Sequence, residues 1–387
     1  MKKIFLLSLM ILSMLCASAS AHILYTTETG GLGLIKVDSV TSVDNQGIKY
    51  PNNDKSVVAS YWENNTSNGA GNSKIILITP KTSSDTSVSG DTAVRFSSYE
   101  SLKNPVDGEA IYLAGTYERP VICGTNSGGS LYLASGATLR EYKTSDFRLY
   151  NTYTYPSDDF APNPKIKSVV KTDSRVYVLA ALNNNKNLSN DVVMVLDGTL
   201  NPNSEYSGRM EVRTSSDVYT MDFISDSRLA VGCANGVYYV KDSSTTTGLV
   251  SSDAPVIALH KDTGSGFYYI TVSDDENVKL YHYTASTTAP GTLIKTVSGD
   301  KAYIAKDSNY DVLGVIMGDE ISIIGMENGN VIAKYTSADL GSNLPISIAA
   351  SSTTGNSADT SSGCMIGGAG LALMAALIFA LRHKEAD

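Results

Sequence analysis

The chain has 387 residues but few of the side chains that most often carry chemistry: one tryptophan, four histidines and four cysteines. His260 and His282 fall close together, yet no His-x-His or Glu-x-x-His spacing supplies a third ligand or a partner base. No serine elbow, phosphate loop or dinucleotide fingerprint occurs. Charge is sparse as well: charged residues make up 18% of the chain, the formal net charge is −9, and no Lys/Arg run lies outside the extreme ends. That balance argues against nucleic acid as a partner. Between residues 22 and 350 no stretch sustains a helical period over three turns. What the chain does have is an apolar fraction of 42%, with 32 glycines and 23 tyrosines, so a globular core is expected and wholesale disorder is excluded.

The two ends are the most informative segments. Met1–Ala21 opens with Lys2 and Lys3, runs apolar from Ile4 to Leu15, and closes on small residues at Ala19 and Ala21. This is the pattern of a secretory signal peptide, with cleavage expected before His22. Its removal takes away two positive charges and no negative ones, leaving −9 − 2 = −11. At the other end, Ser351–Gly363 (SSTTGNSADTSSG) is too polar to bury a core and reads as a flexible stalk. Cys364 follows, then the uncharged run Met365–Leu381 and the basic cluster Arg382-His-Lys384. An apolar span with positive residues at its distal end is expected to cross a membrane, tail inside and all preceding residues outside.

The Ser361-Ser-Gly-Cys364 motif, the Gly367-Gly-Ala-Gly370 step and the Leu/Ala-rich run resemble the Synergist-type C-terminal sorting domain found on exported proteins of anaerobic bacteria. The resemblance covers about the last 27 residues, and the final Glu385-Ala-Asp387 departs from the family's more basic ending. It implies processing near Gly363 or Cys364 by an intramembrane, rhomboid-like sorting protease, with localisation at the cell envelope or outer surface. It implies nothing about the activity of the ectodomain.

From His22 to Ala350 the chain alternates apolar and polar residues in short runs separated by Gly, Asn, Asp and Ser, the signature of antiparallel strands joined by turns. The runs repeat in units of four. Unit starts at 165, 217, 255, 301 and 344 are separated by 52, 38, 46 and 43 residues, the spacing of β-propeller blades. Leu344–Ala350 reads as a first strand with nothing after it, and His22–Thr27 and Leu32–Asp38 as second and third strands with nothing before them. Joined, they complete one blade from both termini and remove exposed edges. Two more units fit between about 46 and 158, with blurred strands. The expected fold is all-β, a seven-bladed β-propeller, with six or eight blades as variants and two stacked β-sandwiches as the rival architecture. The segment Tyr268–Tyr281 (YYITVSDDENVKLY) resembles the YVTN-type propellers of prokaryotic surface proteins, in which a strand, an acidic turn and a second strand recur.

In such a fold Cys123 and Cys233 fall in non-adjacent blades, too far apart for a disulfide, and read as thiols of the interior. Asp307-x-Asn309-x-Asp311 begins like a calcium loop, but Val312 stands where glycine is required and Gly318 where glutamate is required; a turn is expected, and no cofactor. The long polar connectors Glu63–Ser73, Pro156–Pro164 and Asn183–Asn190 are expected to cluster over one face of the ring. They nominate Trp62, Asn64, Asn65, Asp158, Asp159, Asn184 and Asn185 as ligand-binding residues, with an extracellular protein or glycan as partner. The expected role is a non-catalytic binding or structural module anchored at the surface. A propeller-type hydrolase or lactonase and an envelope assembly scaffold are the alternatives.

Overall fold

The computed structural model describes strands and short turns between residues 21 and 350. Residues 1–20 and 351–387 lie outside the described residues, as do connectors including 51–58, 64–73, 81–91, 99–109, 114–120, 125–129, 156–163, 182–191 and 202–208. The segments expected to be a signal peptide, a stalk and a membrane-crossing run, with Gly363 and Cys364, therefore fall outside this description. Among the described residues no helix is long and apolar enough to cross a membrane.

The described strands form seven four-stranded antiparallel sheets, six of them simple meanders in chain order. The first comprises β4 (Ala59–Glu63), β5 (Lys74–Pro80), β6 (Thr92–Ser98) and β7 (Ala110–Leu113). Next come β8 (Val121–Gly124), β9 (Ser130–Ser135), β10 (Thr138–Lys143) and β11 (Leu149–Thr154). The third holds β12 (Lys165–Lys171), β13 (Arg175–Ala181), β14 (Val192–Asp197) and β15 (Arg209–Glu211). The fourth holds β16 (Val218–Ser225), β17 (Arg228–Cys233), β18 (Gly236–Val240) and β19 (Thr246–Ser251). The fifth holds β20 (Val256–Lys261), β21 (Phe267–Val272), β22 (Asn277–Tyr283) and β23 (Thr292–Ser298). The sixth holds β24 (Ala302–Asp307), β25 (Val312–Met317), β26 (Glu320–Gly325) and β27 (Val331–Tyr335). The seventh is built from both ends of the chain: β28 (Pro345–Ala350) pairs with β1 (Ala21–Thr27), followed by β2 (Leu32–Ser39) and β3 (Ser42–Tyr50).

The cores lie between successive sheets, and this explains the composition of the middle strands. In β13, Val176 and Val178 pack toward Tyr132, Leu139 and Tyr153 of the preceding sheet. Their neighbours Tyr177 and Leu179 pack toward Leu229 and Val231 of the next. In β21, Phe267 and Tyr269 join Ala230 and Val237, while Tyr268 and Ile270 join Leu313 and Val315. In β25, Val312 and Ile316 meet Ile23, Tyr25 and Ile35 of the sheet that uses both termini. A strand covered on both faces cannot alternate apolar with polar. Hence VLGVIM is buried at all six positions. Glycine enters where a neighbour comes too close: Gly33 lies opposite Tyr25, and a Cβ there would fall 1.9 Å from the Tyr25 ring.

The first strands also touch one another in sequence. β28 neighbours β4, β4 neighbours β8, and so on through β12, β16, β20 and β24, which returns to β28. This is the arrangement of a β-propeller and differs from two stacked sandwiches, in which sheets pair face to face. One detail of the expected strand layout changes. Ser42–Tyr50 is the fourth strand of the sheet shared by the termini, not the opening of the next unit at about 46. Within the span 46–158, whose strands are blurred in the sequence, Thr138–Lys143 is the third strand of its sheet.

Candidate functional site

The richest polar cluster sits where first and third strands of neighbouring sheets end, on one rim. β20 closes with His260 and Lys261, followed by Asp262. Asp262 Oδ1 accepts hydrogen bonds from the backbone N–H groups of Gly264 (2.7 Å) and Gly266 (3.0 Å), closing the turn into β21. The turn needs glycine at 266, since a Cβ there would lie 2.2 Å from the Tyr283 carbonyl oxygen. The other oxygen, Oδ2, stands 3.0 Å from Nε2 of His282. Burial alone raises the Asp262 pKa, but the hydrogen bonds from His282, Gly264 and Gly266 and the charge of His282 outweigh it, and the carboxyl sits below its ordinary range.

Tyr268 and His282 are register partners on β21 and β22, and their rings stack at 4.2 Å with 3° between planes. The Tyr268 hydroxyl donates to the Met326 carbonyl oxygen at 2.6 Å, reaching the next sheet. Burial, and secondly the Asp262 carboxylate, push this phenol up. In the opposite direction along the ring, Asp222 on β16 accepts the Lys261 backbone N–H at 2.9 Å and stands 3.2 Å from His260 Nδ1. One sheet is thus tied to the sheet before it through Asp222 and to the sheet after it through Tyr268.

Two further buried carboxylates are likewise held by neighbouring side chains. Glu320, at the start of β26, is flanked by Lys295 of β23 on one oxygen and by Lys334 of β27 at 2.6 Å on the other. Lys295 Nζ also donates to Ser322 Oγ at 2.6 Å. The same balance holds here: burial raises the Glu320 pKa, the two lysines more than reverse it, and the carboxyl lies below its usual range. Glu141, buried on β10, accepts from Ser130 Oγ (2.5 Å), Asn151 Nδ2 (2.6 Å) and Lys143 Nζ (3.3 Å). Lys143 in turn lies over the Tyr150 ring at 4.2 Å.

Chemically, each of these carboxylates is engaged with partners from its own or the neighbouring sheet, and the His282 imidazole has Tyr268 stacked against its face. Such groups fasten a fold. Among the described residues no set of three or more His, Cys, Asp or Glu is arranged to hold a metal ion. Cys233 is a buried cysteine at the end of β17, its Sγ 4.0 Å from the Val231 carbonyl oxygen.

The residues nominated from sequence are placed less directly. Trp62 lies on β4, paired with Ile75 of β5. Asn64, Asn65, Asp158, Asp159, Asn184 and Asn185 lie outside the described residues. The strands that anchor their connectors do not support a shared face. The Glu63 connector joins a first strand to a second, β4 to β5. The connector beginning at Pro156 joins a fourth strand to the next first strand, β11 to β12, and the one beginning at Asn183 joins a second strand to a third, β13 to β14. In an up-and-down meander the first of these classes emerges on the opposite rim from the other two. Asp222, Asp262, Glu141 and Glu320 were missed. For Asp262 a signal exists: Asp followed by glycine at the second and fourth positions, closing a strand, is an Asx-turn pattern.

No known family matches the sequence, and no curated protein matches it. Solved structures resemble it at the level of the fold alone. A protein of unknown function from Bacteroides caccae aligns over 68% of this chain and 96% of its own, at 9% identity and a TM-score of 0.46. The Cps50 (Swd1) β-propeller domain of Myceliophteria thermophila aligns over 73% and 89%, at 10% identity and 0.44. Hsv2 of Kluyvelomyces marxianus aligns over 70% and 77%, at 12% identity and 0.39. The strand order and the cycle of first-strand neighbours carry the fold assignment.

Proposed function

We propose that the seven sheets are the seven blades of one closed propeller, exported by its N-terminal signal peptide and held at the cell envelope through its C-terminus. There it acts as a non-catalytic binding or structural module for an extracellular protein or glycan. The observation that carries the non-catalytic reading is the engagement of the buried polar groups. Asp262, Glu320 and Glu141 are each satisfied by neighbours within the fold, and Asp222 joins two sheets. A rigid ring with its charged groups turned to internal fastening offers its connectors, on rims and edges, for recognition. Export and anchoring rest on the basic-apolar-small pattern of Met1–Ala21 and on the Cys364 motif, apolar run and basic cluster at the C-terminus.

Intact and peptide mass spectrometry of the protein from its native envelope tests this reading. The expected form starts at His22 and ends near Gly363 or Cys364 with an added mass. A form retaining Met365–Asp387 unmodified contradicts sorting, and a form retaining Met1 contradicts export by a cleaved signal peptide.

A further inference from the structure

We propose that the side chains of Lys143 and Asn151 join in an amide bond, with Glu141 carrying the protons, so that the last strand of the β8–β11 sheet is covalently fastened to its neighbour. Only this sheet is involved, and nothing in the reaction depends on export or anchoring.

Strand pairing brings the three side chains together. Leu139, Glu141 and Lys143 alternate along β10 and so share one face. Leu139 belongs to the core with Tyr132 and Tyr153, and Glu141, one step further along, is 2% exposed. On β11, Asn151 is the register partner of Glu141, and on β9, Ser130 is the register partner of Lys143. The Glu141 carboxylate is thereby held between two nitrogens of opposite reactivity. Oε1 lies 3.3 Å from the Lys143 amine, and Oε2 accepts from the Asn151 amide nitrogen at 2.6 Å. Lys143 Nζ also donates to Ser130 Oγ at 3.2 Å and lies 4.2 Å from the centre of the Tyr150 ring, which hold the amine beside the carboxylate.

An amine on one oxygen and a carboxamide on the other place a nucleophile and an electrophile on either side of a group that exchanges protons with both. Glu141 takes a proton from Lys143 Nζ through Oε1, and the neutral amine adds to Asn151 Cγ. Glu141 returns that proton through Oε2 to Nδ2. The Cγ–Nδ2 bond then breaks as the Nζ–Cγ amide is completed, and the nitrogen leaves as ammonia. The surplus proton on Nζ departs with it as ammonium, so the carboxylate ends as it began and no oxidant or other co-reactant is used. The four-carbon lysine stem is flexible enough to carry the amine from the carboxylate to Cγ. Its side chain is 38% exposed, which gives ammonia a way to solvent. Glu320 supplies the contrast: Lys295 and Lys334 on its two oxygens are both amines, so no electrophile faces them there. The product closes a short loop between β10 and β11, and β11, the last strand of its described sheet, can no longer peel away.

The test is intact and peptide mass spectrometry of the folded full chain. After prolonged incubation at neutral pH the mass should fall short of the sequence mass for its termini by one ammonia, about 17 Da. Proteolysis should then yield one branched peptide linking position 143 to position 151. Lys143→Arg should restore the full mass and release two linear peptides, and so should Glu141→Gln, with circular dichroism checking that both variants fold. The wild-type chain held in guanidinium chloride should not form the link. A folded wild-type protein of full mass, or an ammonia loss located anywhere but between 143 and 151, would overturn the proposal. A link that forms equally well in folded Glu141→Gln would overturn the role given to Glu141.

Discussion

Glu320 offers the sharpest test of how the sheets are held together. Its side chain is 8% exposed, and Lys295, which reaches it from the neighbouring sheet, is 14% exposed, whereas Lys334 is 51% exposed. Replacing Lys295 with Met leaves a buried carboxylate with only its more solvated partner. Replacing Glu320 with Gln leaves a buried ammonium with Ser322 as its remaining neighbour. Breaking a buried pair from one side costs about 3–5 kcal/mol when nothing else compensates. With Lys334 still in place, Lys295→Met should cost about 2 kcal/mol, and Glu320→Gln about 3 kcal/mol. Replacing both partners with Met should cost less than about 1 kcal/mol, because no uncompensated charge remains. Urea unfolding of the three variants reads these differences as shifts in midpoint at constant slope.

The pH dependence has a fixed sign. Glu320 has a folded-state pKa below the ordinary glutamate range, so its contribution is fully present above that range and disappears as pH falls through the lowered value. The gap between wild type and Glu320→Gln should therefore close in acid. Single substitutions costing less than about 0.5 kcal/mol, the level of exposed pairs, would refute the idea that this cluster fastens two sheets.

Other predictions follow the same reasoning. Tyr153, in the core between the β8–β11 and β12–β15 sheets, has a buried hydroxyl without a hydrogen-bond partner. Tyr153→Phe should raise stability by about 1 kcal/mol, and a loss in denaturant unfolding would mean that the hydroxyl has a partner. Gly33→Ala drives a Cβ to 1.9 Å from the Tyr25 ring, and should destabilise by about 3 kcal/mol or more. Gly264→Ala, whose nearest contact would be 3.6 Å away, should change thermal unfolding little; similar effects at both sites would contradict the close packing of Tyr25. Asp262→Asn removes the negative charge that faces His282, and should cost about 1–2 kcal/mol at neutral pH. Because the Asp262 pKa is lowered by folding, that difference should shrink as pH drops below the ordinary carboxylate range; a difference constant with pH would contradict the pairing.

The strands were legible wherever burial on two faces made them continuously apolar, as in FYYITV and VLGVIM. β10 was not, because its inward position 141 carries glutamate beside Leu139, which breaks the apolar alternation. Besides Lys143 on the same strand, that carboxylate is held by Ser130 on β9 and Asn151 on β11, which are invisible as partners until the strands are paired. β3 is obscured by Asp-Asn-Gln-Gly in mid-strand, where the register with β2 shifts and Gly47 adopts φ 72°. Without β3 the next unit starts too early, and the parity of the turns is shifted as far as β9, where the unread β10 restores it. That is why the Glu63 connector reads as a second-to-third turn, whereas the strands it joins, β4 and β5, are first and second. The polar fasteners were hidden for a different reason. Asp222 and His260 are 38 positions apart and meet only because β16 and β20 are neighbours around the ring, a relation no local pattern encodes.

The central claim is that the two ends of the chain close one ring through β1 and β28. Cysteines placed together at Leu24 and Ala349, register partners in that pair, test it most directly. Oxidation of the intact protein followed by peptide mass spectrometry should give an intramolecular disulfide between positions 24 and 349, as their Cα separation across adjacent strands allows. A control pairing Leu24→Cys with Leu313→Cys, on β25, should give none. Absence of the first link, or its appearance only between molecules, would contradict ring closure by the termini.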